Sequence, residues 1–264
     1  MQPTLYIAIR AARAAGRILL RYAQQIDRIP VQTKRHNDFV SEVDRQAEAA
    51  IIRELRAKFP HHAILAEESG AQSGGEFEWV IDPLDGTTNY LHGFPQFSVS
   101  IALRCRGRLL CGLVYDPLRE ELFTAARGEG ALLNERRIRV SERRSLEGAL
   151  IGTGFPFRDH RHLDAYLGMF KTVVQATAGV RRPGSAALDL AYVACGRTDG
   201  FWELGLSEWD MAAGALLIRE AGGQVSDLRG GDRYLTTGNI IAGNPRVHQA
   251  LLKTLQPHLN ESLT

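Results

Sequence analysis

Asp82 and Asp85 stand three residues apart with Pro83 between them, in the run Asp-Pro-Leu-Asp-Gly-Thr-Thr-Asn-Tyr that ends at Tyr90. The run follows Trp79-Val80-Ile81, a short apolar stretch that reads as a buried strand. Gly86, Thr87 and Thr88 then supply small residues suited to opening a helix. Carboxylates seek a cation, whereas the N–H groups of a helix start seek an anion. A hard metal bridging to a phosphate satisfies both. A plain turn selects the same Asp, Pro and Gly, so this segment alone does not separate a site from a bend.

Other acids tip the balance. Ile64-Leu65-Ala66 is a second apolar run that stops at Glu67-Glu68-Ser69-Gly70. Glu203 and Asp210 lie in one stretch, with Asp210 opening an apolar helix pattern. Asn37 to Asp44 leads into another helix. Each acid alone is an ordinary cap. Four acid-bearing termini without a His or Cys cluster favour oxygen ligation, and hence magnesium over zinc.

At these residues the chain resembles the inositol monophosphatase family, most closely its bacterial SuhB-type branch. Asp82-Pro83-Leu84-Asp85-Gly86-Thr87, closed by Tyr90, matches the family's first signature, and Trp209-Asp210-Met211-Ala212-Ala213-Gly214 matches its second. Glu67-Glu68, the segment ending at Asp44, and the run from Arg181 to Leu206 also fit, so the resemblance spans nearly the whole chain.

The resemblance implies a layered α-β-α-β-α sandwich of the sugar phosphatase superfamily, with the active site between two halves. It implies a magnesium-dependent phosphate monoester hydrolase acting on inositol monophosphate or a related polyol phosphate. Glu67, Asp82 and the Leu84 carbonyl would hold one magnesium. Asp82 would bridge to a second, shared with Asp85 and Asp210, and a third would sit near Glu67. Thr87, oriented by Asp44, would position the attacking water, so Asp44, Thr87 and Glu67 form the expected catalytic set. The Gly86 and Thr87 N–H groups would grip the phosphate. Glu203, Gly184, Ser185 and Ala186, joined by Asp85 and Asp210, would face the alcohol. Lithium inhibition, a homodimer and association with a Nus factor or RNA polymerase in transcription antitermination are implied as well.

Composition sets limits of its own. The 264 residues are 44% hydrophobic and 23% charged, ordinary for a globular chain with a substantial core. With 32 basic against 30 acidic residues, no global field points to nucleic acid, which weighs against direct RNA binding. Arg10, Arg13, Arg17 and Arg21 crowd an acid-free N-terminus. Leu5, Ala8, Ile9, Ala12, Ala15, Ile18, Leu19 and Tyr22 nevertheless fall at helical spacing, which favours a docking helix over a transit peptide. The arginines interrupt any membrane span. Cys105, Cys111 and Cys195 read as small buried hydrophobes rather than a disulfide or metal set, and a reducing cytoplasm follows.

Along the chain, 30–37 reads as a polar connection, and Ser41 as the cap of a helix with Val43, Ala47, Ala50, Ile51 and Leu55 on its apolar face. A Gly-rich loop is expected over 70–78, and paired strands over 97–103 and 109–115. Helix followed by strand meander makes 1–145 an α+β half carrying the metal-binding motifs. From 146 the rhythm alternates: strand 149–153, helix 163–178, a helix capped by Ser185, strand 200–203, helix 210–221, strands 224–226 and 239–242, and a last helix opened by Asn244-Pro245. This α/β half, 146–264, is expected to complete the active site and substrate pocket.

Competing motifs are absent. There is no P-loop and no nucleophile elbow, and neither Gly128-Glu129-Gly130 nor Gly152-Thr153-Gly154 has the third glycine of a dinucleotide fingerprint. His61, His62, His160 and His162 read as residues of solvated turns. A 3′-phosphoadenosine phosphatase or a fructose bisphosphatase would share the metal core, but the stretch from Gly184 to Gly196 with Glu203 favours an inositol-like polyol.

Overall fold

A computed structural model describes residues 3–25, 31–35, 38–156, 160–260 and 263. Helix α1 (Pro3–Ala23) buries Leu5, Ala8, Ile9, Ala12, Ala15 and Leu19 and keeps Arg10, Arg13, Arg17 and Arg21 exposed. The docking-helix expectation is met, and the arginines lie on a solvated ridge where Arg10 pairs with Glu54 at 3.0 Å. Among the described residues, no helix is long and apolar enough to cross a membrane. Helix α2 (Glu42–Arg56) buries Val43, Ala47, Ala50, Ile51 and Leu55. Its expected cap, the Ser41 side chain, lies outside what is described, as do residues 26–30 and 36–37.

The polar connection expected over 30–37 contains a strand. β1 (Val31–Arg35) pairs antiparallel with β2 (Asp38–Ser41). The Gly-rich stretch after Glu67 is likewise not all loop, because β4 (Gly70–Gln72) folds back on β3 (Ala63–Ala66). In both cases backbone pairing overrides polar, turn-forming composition.

β3 and β4 belong to an eight-stranded sheet with β5 (Phe77–Asp85), β6 (Ser98–Cys105), β7 (Arg108–Asp116), β8 (Glu121–Ala126), β9 (Gly130–Leu133) and β10 (Arg136–Arg137). Its order is β10-β9-β8-β7-β6-β5-β3-β4, antiparallel except where β3 runs parallel to β5. A five-stranded sheet follows, of β11 (Leu150–Thr153), β12 (Gly179–Arg181), β13 (Gly200–Glu203), β14 (Gln224–Ser226) and β15 (Ile240–Gly243). Its order is β12-β11-β13-β15-β14, with β12, β11 and β13 mutually parallel. The three-residue β12 escaped the sequence pattern, being too short to show a period.

Strand alternation assigns the layers. Ile64, Trp79, Ile81, Ile101 and Leu113 face α1 and α2. Val80, Ala102, Val114 and Phe123 face the opposite way, onto α5 (Ala186–Ala194) and α6 (Glu208–Glu220). These helices are apolar nearly all round because they are covered on both sides, their far faces packing on Phe201, Ile240 and Ala242 of the second sheet. The other face of that sheet, with Ile151, Trp202 and Ile241, packs on α4 (Leu163–Ala176) and α8 (Pro245–Leu255). The result is the α-β-α-β-α sandwich. Two short helices, α3 (Thr87–Leu91) and α7 (Tyr234–Thr237), complete it. All three cysteines are free; Cys111 is buried and the other two half-buried.

Candidate active site

A β-bulge sets the first two acids. In a regular strand, residues three apart point to opposite faces. Asp82 pairs with Ser100 and Asp85 with Ser98, so three steps on β5 span two on β6. The extra residue falls at Pro83-Leu84, where a proline costs no ladder hydrogen bond. Asp82 and Asp85 therefore share one face. The strand runs through Asp85 and does not stop at Ile81, so the acids sit within a buried strand end rather than beyond it.

Gly86 turns the chain. Its φ of 97° is a left-handed value, and a Cβ there would stand 2.9 Å from the Gln96 carbonyl oxygen. Thr87 follows as the first residue of α3, and its hydroxyl reaches Asp44 Oδ1 at 3.3 Å and the Leu84 carbonyl at 3.1 Å. Because α3 is a single turn, its N-terminal pull on an anion comes from local N–H groups and not from a long dipole.

Asp210 is the third acid. α6 begins at Glu208, two residues before the expected opening, so Asp210 occupies the third helical position. Its Oδ2 accepts a hydrogen bond from the Ser207 N–H at 2.7 Å. The capping and site readings of Asp210 are thus compatible. Ligand oxygens of Asp82, Asp85 and Asp210, all buried, lie within 4.8 Å of one another. Glu67 lines the same cavity and acts on Asp82 electrostatically.

The charges in this cluster are strained. Burial, then Glu67, Asp85 and Asp210, hold the Asp82 carboxyl well above the usual carboxylate range, against a 2.9 Å hydrogen bond from the Leu84 N–H. Burial and Asp210 push Asp85 up to about 7, although Ser185 Oγ and the Ala187 N–H donate to it. Crowded carboxylates of this kind are relieved by a cation. The donor set found among the described residues is three carboxylates with no His or Cys in it, and so fits a hard divalent ion.

The surrounding cavity has a volume of about 690 Å³. Of the residues expected at the site, Glu67, Asp82, Leu84, Asp85, Gly86, Thr87, Gly184, Ala186, Glu203 and Asp210 line it. Asp44 and Ser185 do not. Asp44 is buried and reaches the cavity through Thr87, and the Ser185 hydroxyl is turned onto Asp85 instead of outward. Ser185 stands at the N-cap position of α5 but makes no side-chain cap, because Asp85 takes its hydroxyl. Glu203 enters where a side chain is missing: a Cβ on Gly154 would lie 1.8 Å from Glu203 Oε1.

Several contributors were not evident from sequence. Glu48 is buried on α2 and accepts the Glu68 and Ser69 N–H groups at 2.8 and 2.9 Å, fixing the turn that carries Glu67. Asn89 donates to the carbonyls of Gln96 and Pro183, both at 2.8 Å, tying α3 to the loop before α5. His162 lies on a turn without buried residues, as expected, but also lines the cavity. His62 also departs from that expectation: it stacks between Phe59 and Phe77 at 4.8 and 5.0 Å, and burial lowers its pKa. Only the helical amphipathicity of α2 could have flagged Glu48, as an acid on its apolar side.

The sequence model of the inositol monophosphatase family matches residues 1–260. The chain belongs to this family. The family's activity is metal-dependent phosphate monoester hydrolysis, which agrees with the buried acidic cluster. The Nus factor SuhB of Pseudomonas aeruginosa is 58% identical over 269 residues, covering 100% of this chain and 99% of that protein. The Nus factor SuhB of Escherichia coli strain K12 is 51% identical over 265 residues, with the same coverage. Among solved structures, the extragenic suppressor protein SuhB of Bartonella henselae superposes with a TM-score of 0.95 at 46% identity, covering 98% of this chain and 100% of that one. An inositol monophosphatase from Anabaena (Nostoc) gives 0.85 at 42% identity, covering 96% and 95%.

Proposed function

We propose that the chain hydrolyses inositol monophosphate or a related polyol phosphate monoester with magnesium, two to three ions per site. The convergence of three buried carboxylates on one cavity carries this reading. Glu67, Asp82, the Leu84 carbonyl, Asp85 and Asp210 would hold the metal. When bound, magnesium lowers the pKa of water and screens charge on the phosphoryl oxygens.

The chain's own groups supply the positioning. The Thr87 hydroxyl orients the attacking water in line with the phosphorus, and Asp44, hydrogen-bonded to it, takes up the proton Thr87 relays. Thr87 itself stays non-covalent: its hydroxyl donates to Asp44 Oδ1 and the Leu84 carbonyl, and among the described residues no basic nitrogen is hydrogen-bonded to it. The Gly86 and Thr87 N–H groups face the phosphate. Glu203, Gly184 and Ala186 face the alcohol, and Ser185 holds Asp85 in place. Phosphate release from a panel of monoesters, with and without magnesium, tests the reading. Equal release in chelator and in magnesium would refute it.

A second role is favoured by the full-length relatives named Nus factor SuhB. The chain also acts, in our reading, as a Nus-type factor that associates with the transcription machinery, as a homodimer in the cytoplasm. Pull-down with an Asp82→Asn variant separates the roles: partner retained with hydrolysis lost is the expected result, and no RNA polymerase or Nus factor captured by either form refutes this role.

A further inference from the structure

Beyond Glu203 the wall of the cavity is a loop. β13 and β15 pair as far as Glu203 and Ile240 and then part. Three consecutive N–H groups past that point find acceptors in three different places. The Gly205 N–H donates to Asn239 Oδ1 at 3.1 Å, the Leu206 N–H to the Gly238 carbonyl at 2.8 Å, and the Ser207 N–H to Asp210 Oδ2 at 2.7 Å. The loop 204–207 therefore joins Glu203 to a carboxylate of the acidic cluster. Leu204, Gly205, Leu206, Thr237 and Asn239 all line the cavity.

Of these acceptors, Asn239 alone is a side chain from outside both the loop and the acidic cluster. Its partners fix the amide: Oδ1 faces the Gly205 N–H, while Nδ2 donates to the Leu263 carbonyl at 3.4 Å. A flipped amide would set NH2 against N–H and oxygen against carbonyl. Its backbone is held as well. The Asn239 N–H donates to Thr237 Oγ1 at 3.3 Å, and Gly238 comes so near Leu206 that a Cβ on it would stand 2.4 Å from the Leu206 carbonyl oxygen. Gly205 is exposed, so water can replace a lost acceptor and the stability of the chain hardly depends on this bond. What the bond sets is the path of the backbone two residues beyond Glu203.

We propose that Asn239 is a positioning residue for the alcohol portion of the substrate. By holding the Gly205 N–H it fixes the course of the loop that follows Glu203, and with it the direction of the Glu203 carboxylate. The proposal rests on the hydrolytic reading above, in which Glu203 faces the alcohol. None of the Asn239 hydrogen bonds reaches Asp82, Asp85, Asp210 or the Gly86-Thr87 turn. Its influence is therefore confined to one end of the substrate: alcohol binding depends on it, and phosphate binding does not.

The test compares the full chain with Asn239→Leu, which has similar size and no acceptor, in magnesium. Two constants are read: KM for inositol 1-phosphate, and the inhibition constant of inorganic phosphate, which has no alcohol portion. The Leu variant should raise the ratio of the first to the second about tenfold, the value of one hydrogen bond, with kcat held within about twofold. Asn239→Asp keeps the acceptor for Gly205 and should leave the ratio near the wild-type value, because its added charge acts on phosphate in both measurements. An unchanged ratio in the Leu variant overturns the proposal. So does an equal rise in both constants, or a fall in kcat alone, because the residue would then serve the metal centre or the fold. So does an Asp variant as impaired as Leu. Should the Leu variant not fold, Asn239→Ala, smaller and equally without an acceptor, carries the same comparison. If no ester is hydrolysed, the hydrolytic reading fails on its own. Calorimetric titration with inositol 1-phosphate in magnesium then decides the positioning role: binding about tenfold weaker in the Leu variant supports it, and equal binding, or none by either form, overturns it.

Discussion

Asp82→Asn should stabilise the metal-free protein while abolishing hydrolysis. Asp82 is buried with oxygens of Asp85 and Asp210 within 4.8 Å. At an effective dielectric constant of about 20, two unit charges at 4.8 Å repel by about 3.5 kcal/mol. The wild type escapes part of this by proton uptake, so the measured gain is smaller, about 2 kcal/mol. Asn keeps the acceptor for the Leu84 N–H, and its amide donates toward the neighbouring carboxylates. For a chain of this size the gain corresponds to a rise in Tm of about 4–8 °C in chelator. In magnesium the order should reverse. Wild-type protein at a hundredfold excess over Kd gains about 2.7 kcal/mol by mass action, and the variant, lacking a ligand, gains little. Calorimetry of both proteins in both buffers reads all four values, and kcat should fall about a thousandfold. A variant that melts below wild type in chelator, or gains equally from magnesium, would refute the view that these carboxylates repel one another until a cation arrives.

Thr87→Ala should lower kcat about a hundredfold with little change in KM, because the hydroxyl acts on water orientation; steady-state kinetics would refute this if KM alone rose. Glu48→Ala removes the acceptor of two backbone N–H groups, so thermal unfolding should show a loss of about 3 kcal/mol, and the magnesium needed for half-maximal activity should rise about tenfold. Gly154→Ala puts a methyl group where Glu203 Oε1 lies, and should raise KM for inositol 1-phosphate more than it lowers kcat. An unchanged KM would mean that Glu203 does not face the alcohol.

The acids were legible in the sequence because each stands at the end of an apolar run or at the start of a helix pattern, signals that survive without coordinates. Helices α1, α2 and α8 were equally clear, each having one buried face and a signal at its start or along its stripe. β4 and β12 were not, because three-residue strands exist only by pairing with a neighbour. Ser185 was expected to face the substrate, and instead its hydroxyl is spent on Asp85, a hundred residues away. His62 was read as a solvated residue because nothing in its neighbours announces the stack between Phe59 and Phe77.

By itself the sequence determined the chemistry available: oxygen ligands, a turn that requires glycine, small residues beside them, and the family to which they belong. Tertiary structure alone decided where these groups meet. The bulge at Pro83-Leu84 turns Asp82 and Asp85 to one face, the N-terminus of α6 carries Asp210 to them, and three parallel strand ends bring Phe155, Arg182 and Glu203 to the same cavity. The physical reason is range. Side-chain chemistry and local backbone preference are written over a few residues, whereas the separation of two charges far apart in the chain is fixed only when the core between them has packed.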